Sequence, residues 1–198
     1  MSRVVLCIGD SITYGYPFGP AWSWVALVGE ALQINMINRG INGDSTANML
    51  YRFNRDVVQH NPDATVIMGG ANDAWMGVSL AAVTANFTAM LEKCRQNKIL
   101  PVLGLPVPVS PGDNDFFNGL EEASAILDQY RQWMQEYCIR NGIQAIDFYT
   151  PMLVPGSRFG KPSYYFDGVH PNQEGYQAMS RAAIPVVQKI LKLFEAPS

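Results

Sequence analysis

Val4-Val5-Leu6-Cys7-Ile8-Gly9-Asp10-Ser11-Ile12-Thr13 is the stretch on which the reading of this chain turns. A short apolar run, rich in Val, Leu and Ile, stops abruptly at Gly-Asp-Ser. The run is too short for a helix and suits a strand buried on both faces. Gly9 is expected to permit a tight turn after it. Ser11 then stands just past the carboxyl end of the strand, where open parallel sheets bind ligands. A small hydroxyl held there is well placed to be a nucleophile. The structural alternative is that Ser11 only caps the segment that follows.

Outward from this strand the pattern alternates. Residues 33–38, 64–68, 99–105 and 143–148 read as further short strands, the first two ending near Gly40 and at Gly69-Gly70. Helices are expected over 22–32, from Ser45 or Thr46 to about 59, and over 79–96, 120–141 and 172–194. Residues 106–119 and 150–171 read as irregular loops. Alternating strands and helices predict an α/β fold: one five-stranded parallel sheet with helices on both faces, a three-layer α/β/α sandwich. No second domain or repeat is evident, so residues 1–198 are expected to form one domain.

Composition narrows the function. The chain has 198 residues, 48% hydrophobic and 16% charged, enough for a sizeable core without metal or disulfide. The formal charge is -3 with no basic stripe, which argues against a nucleic-acid partner. No apolar run approaches the roughly 20 residues of a membrane span. The N-terminus enters the first strand directly, with no signal peptide expected, and Cys7, Cys94 and Cys138 are scattered and odd in number. Buried free thiols and a cytoplasmic location are the expectation. Nothing is organised around any cysteine, so none is a candidate nucleophile, and no metal or cofactor is expected. No Gly-x-Gly-x-x-Gly follows the first strand, which removes a dinucleotide-binding role.

Three further segments carry polar residues to strand ends: Asn38-Arg39-Gly40-Ile41-Asn42-Gly43, Gly69-Gly70-Ala71-Asn72-Asp73 and Asp167-Gly168-Val169-His170-Pro171. With Gly9-Asp10-Ser11 these blocks resemble the GDSL, or SGNH, hydrolase family, in family order from Gly9 to Pro171. Ile12 stands where the family motif has Leu, a conservative apolar exchange. The resemblance implies a flavodoxin-like strand order 2-1-3-4-5 and a Ser…Asp…His order of catalytic residues.

The chemistry can also be argued residue by residue. Ser11 needs a base, and the chain offers two histidines. His60 lies in a helix-to-strand turn, at the amino ends of the strands, and reads as a solvated surface residue. His170 lies on the Ser11 side, and Asp167, three residues earlier, can reach its Nδ1 and leave Nε2 for Ser11. Oxyanion donors are expected from the Ser11 and Gly43 amides and the Asn72 side chain. Ordinary turn roles are the alternatives for Gly43 and Asn72. Asp10 is expected to bond loop amides, and Asp73 to order the loop carrying Asn72. Asp10, Trp75, Phe116, Phe117 and Val169 are candidates to border a substrate pocket, within a wider set of aromatic residues that includes Tyr16, Trp22, Tyr165 and Phe166. Arg39 is the charged residue expected beside the oxyanion site.

These features point to a serine esterase of the lysophospholipase, thioesterase and arylesterase type, acting on a small-molecule ester. Removal of O-acetyl groups from carbohydrate, or acyl transfer, would use the same residues. A non-catalytic binding module on the same scaffold is the alternative of another class. The apolar side of the last helix (Ile184, Val187, Ile190, Leu191, Phe194) is either core or the face of a homodimer.

Overall fold

The structure, a computed structural model, describes residues 3–111 and 119–194. Five parallel strands, β1 (Val4–Gly9), β2 (Asn35–Gly40), β3 (Ala64–Met68), β4 (Leu100–Leu105) and β5 (Gln144–Asp147), lie in the order β2-β1-β3-β4-β5. Gly9 pairs with Gly40 on one side and Met68 on the other, so the first three strands end level with one another.

Strand β1 shows why the sheet is buried on both faces. Val5 and Cys7 belong to a core shared with α2 (Trp24–Leu32) and α7 (Gln173–Leu193). Leu6 and Ile8 belong to another, shared with α3 (Thr46–Asp56), α5 (Leu80–Gln96) and α6 (Leu120–Asn141). Successive side chains of a strand point to opposite faces, so one apolar run serves two helical layers. The three cysteines are free and buried, and burial pushes their thiols up.

The last helix resolves one open alternative. Val187 and Ile190 are fully buried, and Ile184, Leu191 and Phe194 pack against the same core. That face packs on the core. No helix among the described residues is long and apolar enough to cross a membrane.

Two helices were not anticipated: α1 (Ser11–Tyr14) and α4 (Ala71–Trp75), each directly after a strand. Helical periodicity needs more than one turn to be visible. The expected strand 33–38 begins two residues later, because Gln33 adopts φ 53 and closes α2. Gly9 is the last residue of β1, and its backbone is not in the left-handed region. What it provides is space: an added Cβ would lie 2.1 Å from Thr13 Oγ1 and 2.5 Å from the Met68 carbonyl oxygen.

Gly9→Ala is therefore expected to cost about 1–3 kcal/mol through overpacking. Urea unfolding measures it, and an unchanged midpoint would contradict this account of the β1 end.

Candidate active site

The carboxyl ends of β1, β2 and β3 bring the four polar segments together. Asp10 caps α1, its Oδ1 accepting the Ile12 N–H at 2.9 Å. Ser11 is the first residue of that helix and not its cap. Its side chain meets a residue 159 positions away: Ser11 Oγ lies 3.0 Å from His170 Nε2. On the far side of the ring, His170 Nδ1 lies 2.7 Å from Asp167 Oδ2.

Asp167 is held by its own turn. Its Oδ1 accepts the Val169 N–H at 3.0 Å and the His170 N–H at 2.7 Å. Burial pushes this carboxyl up, but the bonds from the His170 ring and the two backbone amides outweigh it, and the pKa is lowered. An ionised carboxylate only accepts, so Nδ1 carries the proton and Nε2 is left to accept the Ser11 O–H. A hydroxyl so placed can pass its proton to the ring as it attacks an electrophile. The ring of Tyr16 lies against the imidazole, centroid to centroid 4.6 Å.

The segments after β2 and β3 meet at Asp44. Asn72 Nδ2 donates to the Asp44 carbonyl at 2.9 Å and retains a second N–H. Gly43 is exposed, adopts φ 78, and has nothing within 4 Å of where a Cβ would sit. Its glycine is demanded by the backbone angle, which other residues rarely tolerate. Asp73 does more than order its own loop. Its carboxylate accepts the Thr46 N–H at 2.9 Å and the Thr46 hydroxyl at 2.6 Å, pinning the start of α3.

Several expected site residues are placed differently. Asp10 is 1% exposed and is occupied in capping, so it does not border a pocket open to solvent. Val169 is buried and donates its N–H to Asp167, a structural use. Trp75 is half-buried at the end of α4. Phe116 and Phe117 lie outside the described residues. The guanidinium of Arg39 lies 2.5 Å from Nε2 of exposed His60. His60 is thus a surface residue, as expected, but a partnered one. Tyr165 is buried and donates its hydroxyl to the Pro108 carbonyl, which removes it from the pocket candidates. The sequence reading missed Arg52, buried beneath this site, and Asp44, its partner. They are eight residues apart, on a helix and a loop, a spacing that no motif marks.

The fold is an α/β sandwich that gathers these polar segments at the carboxyl end of its sheet. The chain belongs to the GDSL-like Lipase/Acylhydrolase family, whose model matches residues 7–178. It is a GDSL-type esterase/lipase, a carboxylic ester hydrolase. An arylesterase of Vibrio mimicus is 27% identical over 182 residues, covering 87% of this chain and 82% of that protein. An acetylxylan esterase of Geobacillus stearothermophilus is 24% identical, covering 90% of each. The solved structure of a GDSL-like lipase from Bacteroides thetaiotaomicron superposes with a TM-score of 0.80 at 27% identity, covering 96% of this chain and 89% of that one.

The buried carboxyl of Asp10 gives a pH signature. Burial is the largest influence and raises it to about 6; the Ile12 N–H bond and His170 oppose this, while Asp73 and Asp44 add to it. A carboxyl whose folded pKa is raised weakens the fold as pH climbs from its ordinary value through the folded one. Asn caps a helix as well as Asp without that charge. Asp10→Asn is therefore expected to gain stability on wild type by on the order of 2–3 kcal/mol between pH 4 and pH 7.5. Urea unfolding at the two pH values measures this, and a difference that stays flat would contradict it.

Proposed function

We propose that this protein is a serine esterase that hydrolyses small carboxylic esters through an acyl-Ser11 intermediate. The observation that carries this reading is the unbroken chain from Ser11 Oγ to His170 Nε2 at 3.0 Å and from Nδ1 to Asp167 at 2.7 Å. In this mechanism Ser11 Oγ attacks the ester carbonyl carbon while its proton passes to His170 Nε2. Asp167 stabilises the imidazolium and holds the ring's orientation.

The carbonyl oxygen, now an oxyanion, takes hydrogen bonds from the Ser11 and Gly43 amides and the second N–H of Asn72. Support for Gly43 and Asn72 comes from their shared neighbour Asp44, which adjoins one and accepts a bond from the other. His170 then gives its proton to the leaving alkoxide or phenolate. A water then attacks the acyl carbon as it loses a proton to the same Nε2; the acyl–Ser11 bond breaks, the carboxylic acid leaves, and Nε2 returns the proton to Ser11 Oγ.

The similarity to an arylesterase, together with the Tyr16 ring against the imidazole, supports an ester with an aryl or apolar leaving group. Removal of acetyl groups from carbohydrate is the second reading, favoured by the similarity to an acetylxylan esterase along nearly the whole chain. Activity that rises with acyl length on p-nitrophenyl esters supports the first, and activity confined to acetyl esters and acetylated sugars supports the second.

Ser11→Ala and His170→Ala are each expected to lower kcat on p-nitrophenyl acetate by about 10³-fold or more while leaving the circular dichroism spectrum intact. Asn72→Ala is expected to cost about 10²–10³ in kcat. Wild-type turnover by folded Ser11→Ala would overturn the nucleophile assignment.

A further inference from the structure

We propose that Arg52 is a positioning residue of this esterase: its buried guanidinium fixes the loop carrying Gly43 against the end of β1, and so aims the oxyanion donors. The proposal rests on the assignment of Ser11, Gly43 and Asn72 above.

Arg52 lies on α3 and is 5% exposed. Its donors reach three separate parts of the chain. Nη2 donates to the Gly9 carbonyl at 2.9 Å, two residues before Ser11. Nε donates to Asp44 Oδ2 at 2.6 Å, next to Gly43. Nη1 donates to Asp56 Oδ2 at 2.9 Å, one turn along its own helix. Asp44 in turn accepts the Asn72 side chain through its carbonyl. The guanidinium is therefore within one or two links of every proposed donor.

Apolar packing does not hold this loop. Ile41, Asn42 and Gly43 are exposed, and Asp44 is its first buried member. Its backbone ties are Ile41 N–H to the Gly9 carbonyl at 3.0 Å and Asp44 N–H to the Ile41 carbonyl at 3.2 Å. Gly9 is thus gripped twice, by the loop's first amide and by Arg52. A planar guanidinium can serve three acceptors in one plane, and an ammonium cannot reproduce that fork.

Stability alone does not account for such a group. Replacing a buried ion-pair cluster by apolar side chains is often neutral or stabilising. Asp56 also has a second partner, since Arg55 donates to it at 2.6 and 2.9 Å. Among the ion pairs of the described residues, Asp44, 6% exposed, is held by Arg52 alone. What Arg52 adds is a fixed distance between the β1 end and the residue after Gly43. Preorganised donors need that fixity, because a displacement of about 1 Å can cost on the order of 10²-fold in rate.

The test is a set of p-nitrophenyl acetate kinetics, with active sites titrated by a fluorophosphonate and folding checked by circular dichroism. Arg52→Lys is expected to lower kcat about 10- to 100-fold with KM within about threefold, the signature of an interaction made in the transition state. Combined with Asn72→Ala, the same substitution should cost less than about threefold, because coupled residues are not additive. Asp44→Asn, which keeps the size and an acceptor, should lower kcat at least about fivefold on the same ground; it decides the matter if Arg52→Lys does not fold.

A folded Arg52→Lys or Asp44→Asn enzyme with kcat within about twofold of wild type would overturn the proposal, as would equal losses with and without Asn72. If Asn72→Ala alone leaves kcat unchanged, the donor assignment itself falls. If Asn72→Ala is impaired and Arg52→Lys is not, that assignment stands and only the role of Arg52 is lost.

Discussion

Everything at the carboxyl end of this sheet depends on one short contact, the 2.7 Å hydrogen bond between Asp167 and His170 Nδ1. It decides which ring nitrogen carries the proton, and hence which one faces Ser11. The carboxylate can do this because the turn that carries it supplies two further amides, from Val169 and His170, to the same group. Its ionised form is favoured by those bonds, so its share of stability is present above the ordinary aspartate range and is lost as pH falls below it. The hydroxyl of Ser11 is brought to the ring by the opposite end of the chain, through the level ends of β1, β2 and β3 and the Asp10 cap of α1.

Two kinds of force divide the labour. Apolar packing builds the platform: β1 is buried on both faces, and its two sets of side chains join separate helical layers. Above the strand ends packing gives way to directional polar contacts. Arg52 joins the Gly9 carbonyl to Asp44, Asn72 joins α4 to the same residue, and Asp73 reaches across to Thr46. Exposed loops offer little apolar area to hold them, and hydrogen bonds to charged groups specify geometry where burial cannot. Gly43 shows the outcome: an exposed left-handed residue whose amide is set by its neighbours and not by its own packing.

Much of this was legible in the chain itself. Strands with both faces buried read as continuous apolar runs, so β1 over 4–9 and β3 over 64–68 match their expected limits. His170 could be chosen over His60 because alternating topology assigns each loop to one end of the sheet. In the structure His60 is exposed beside Arg39, and His170 lies beside Ser11. The failures have equally physical reasons. The single turns α1 and α4 are shorter than the window in which periodicity can be seen. The glycine at the end of β1 is legible as a point where the chain turns, but its constraint, close contact with Thr13 and Met68, is a fact about tertiary neighbours. Asp10 bonds a loop amide, as expected of it, but it and Val169 are too buried to border an open pocket, a consequence of tertiary packing that sequence position does not show. Arg52 and Asp44 escaped notice altogether, since a buried ion pair between a helix and a loop leaves no spacing to find.

In the proposed mechanism an acyl group passes through the oxygen of Ser11 with His170 as the base. Rapid acid quench of the enzyme turning over p-nitrophenyl butyrate, followed by intact and peptide mass spectrometry, tests it most directly. The expected result is a butyryl adduct on the peptide containing Ser11 in wild type and none in His170→Ala. An adduct on another residue, or one that forms as fast without the imidazole, would contradict the claim.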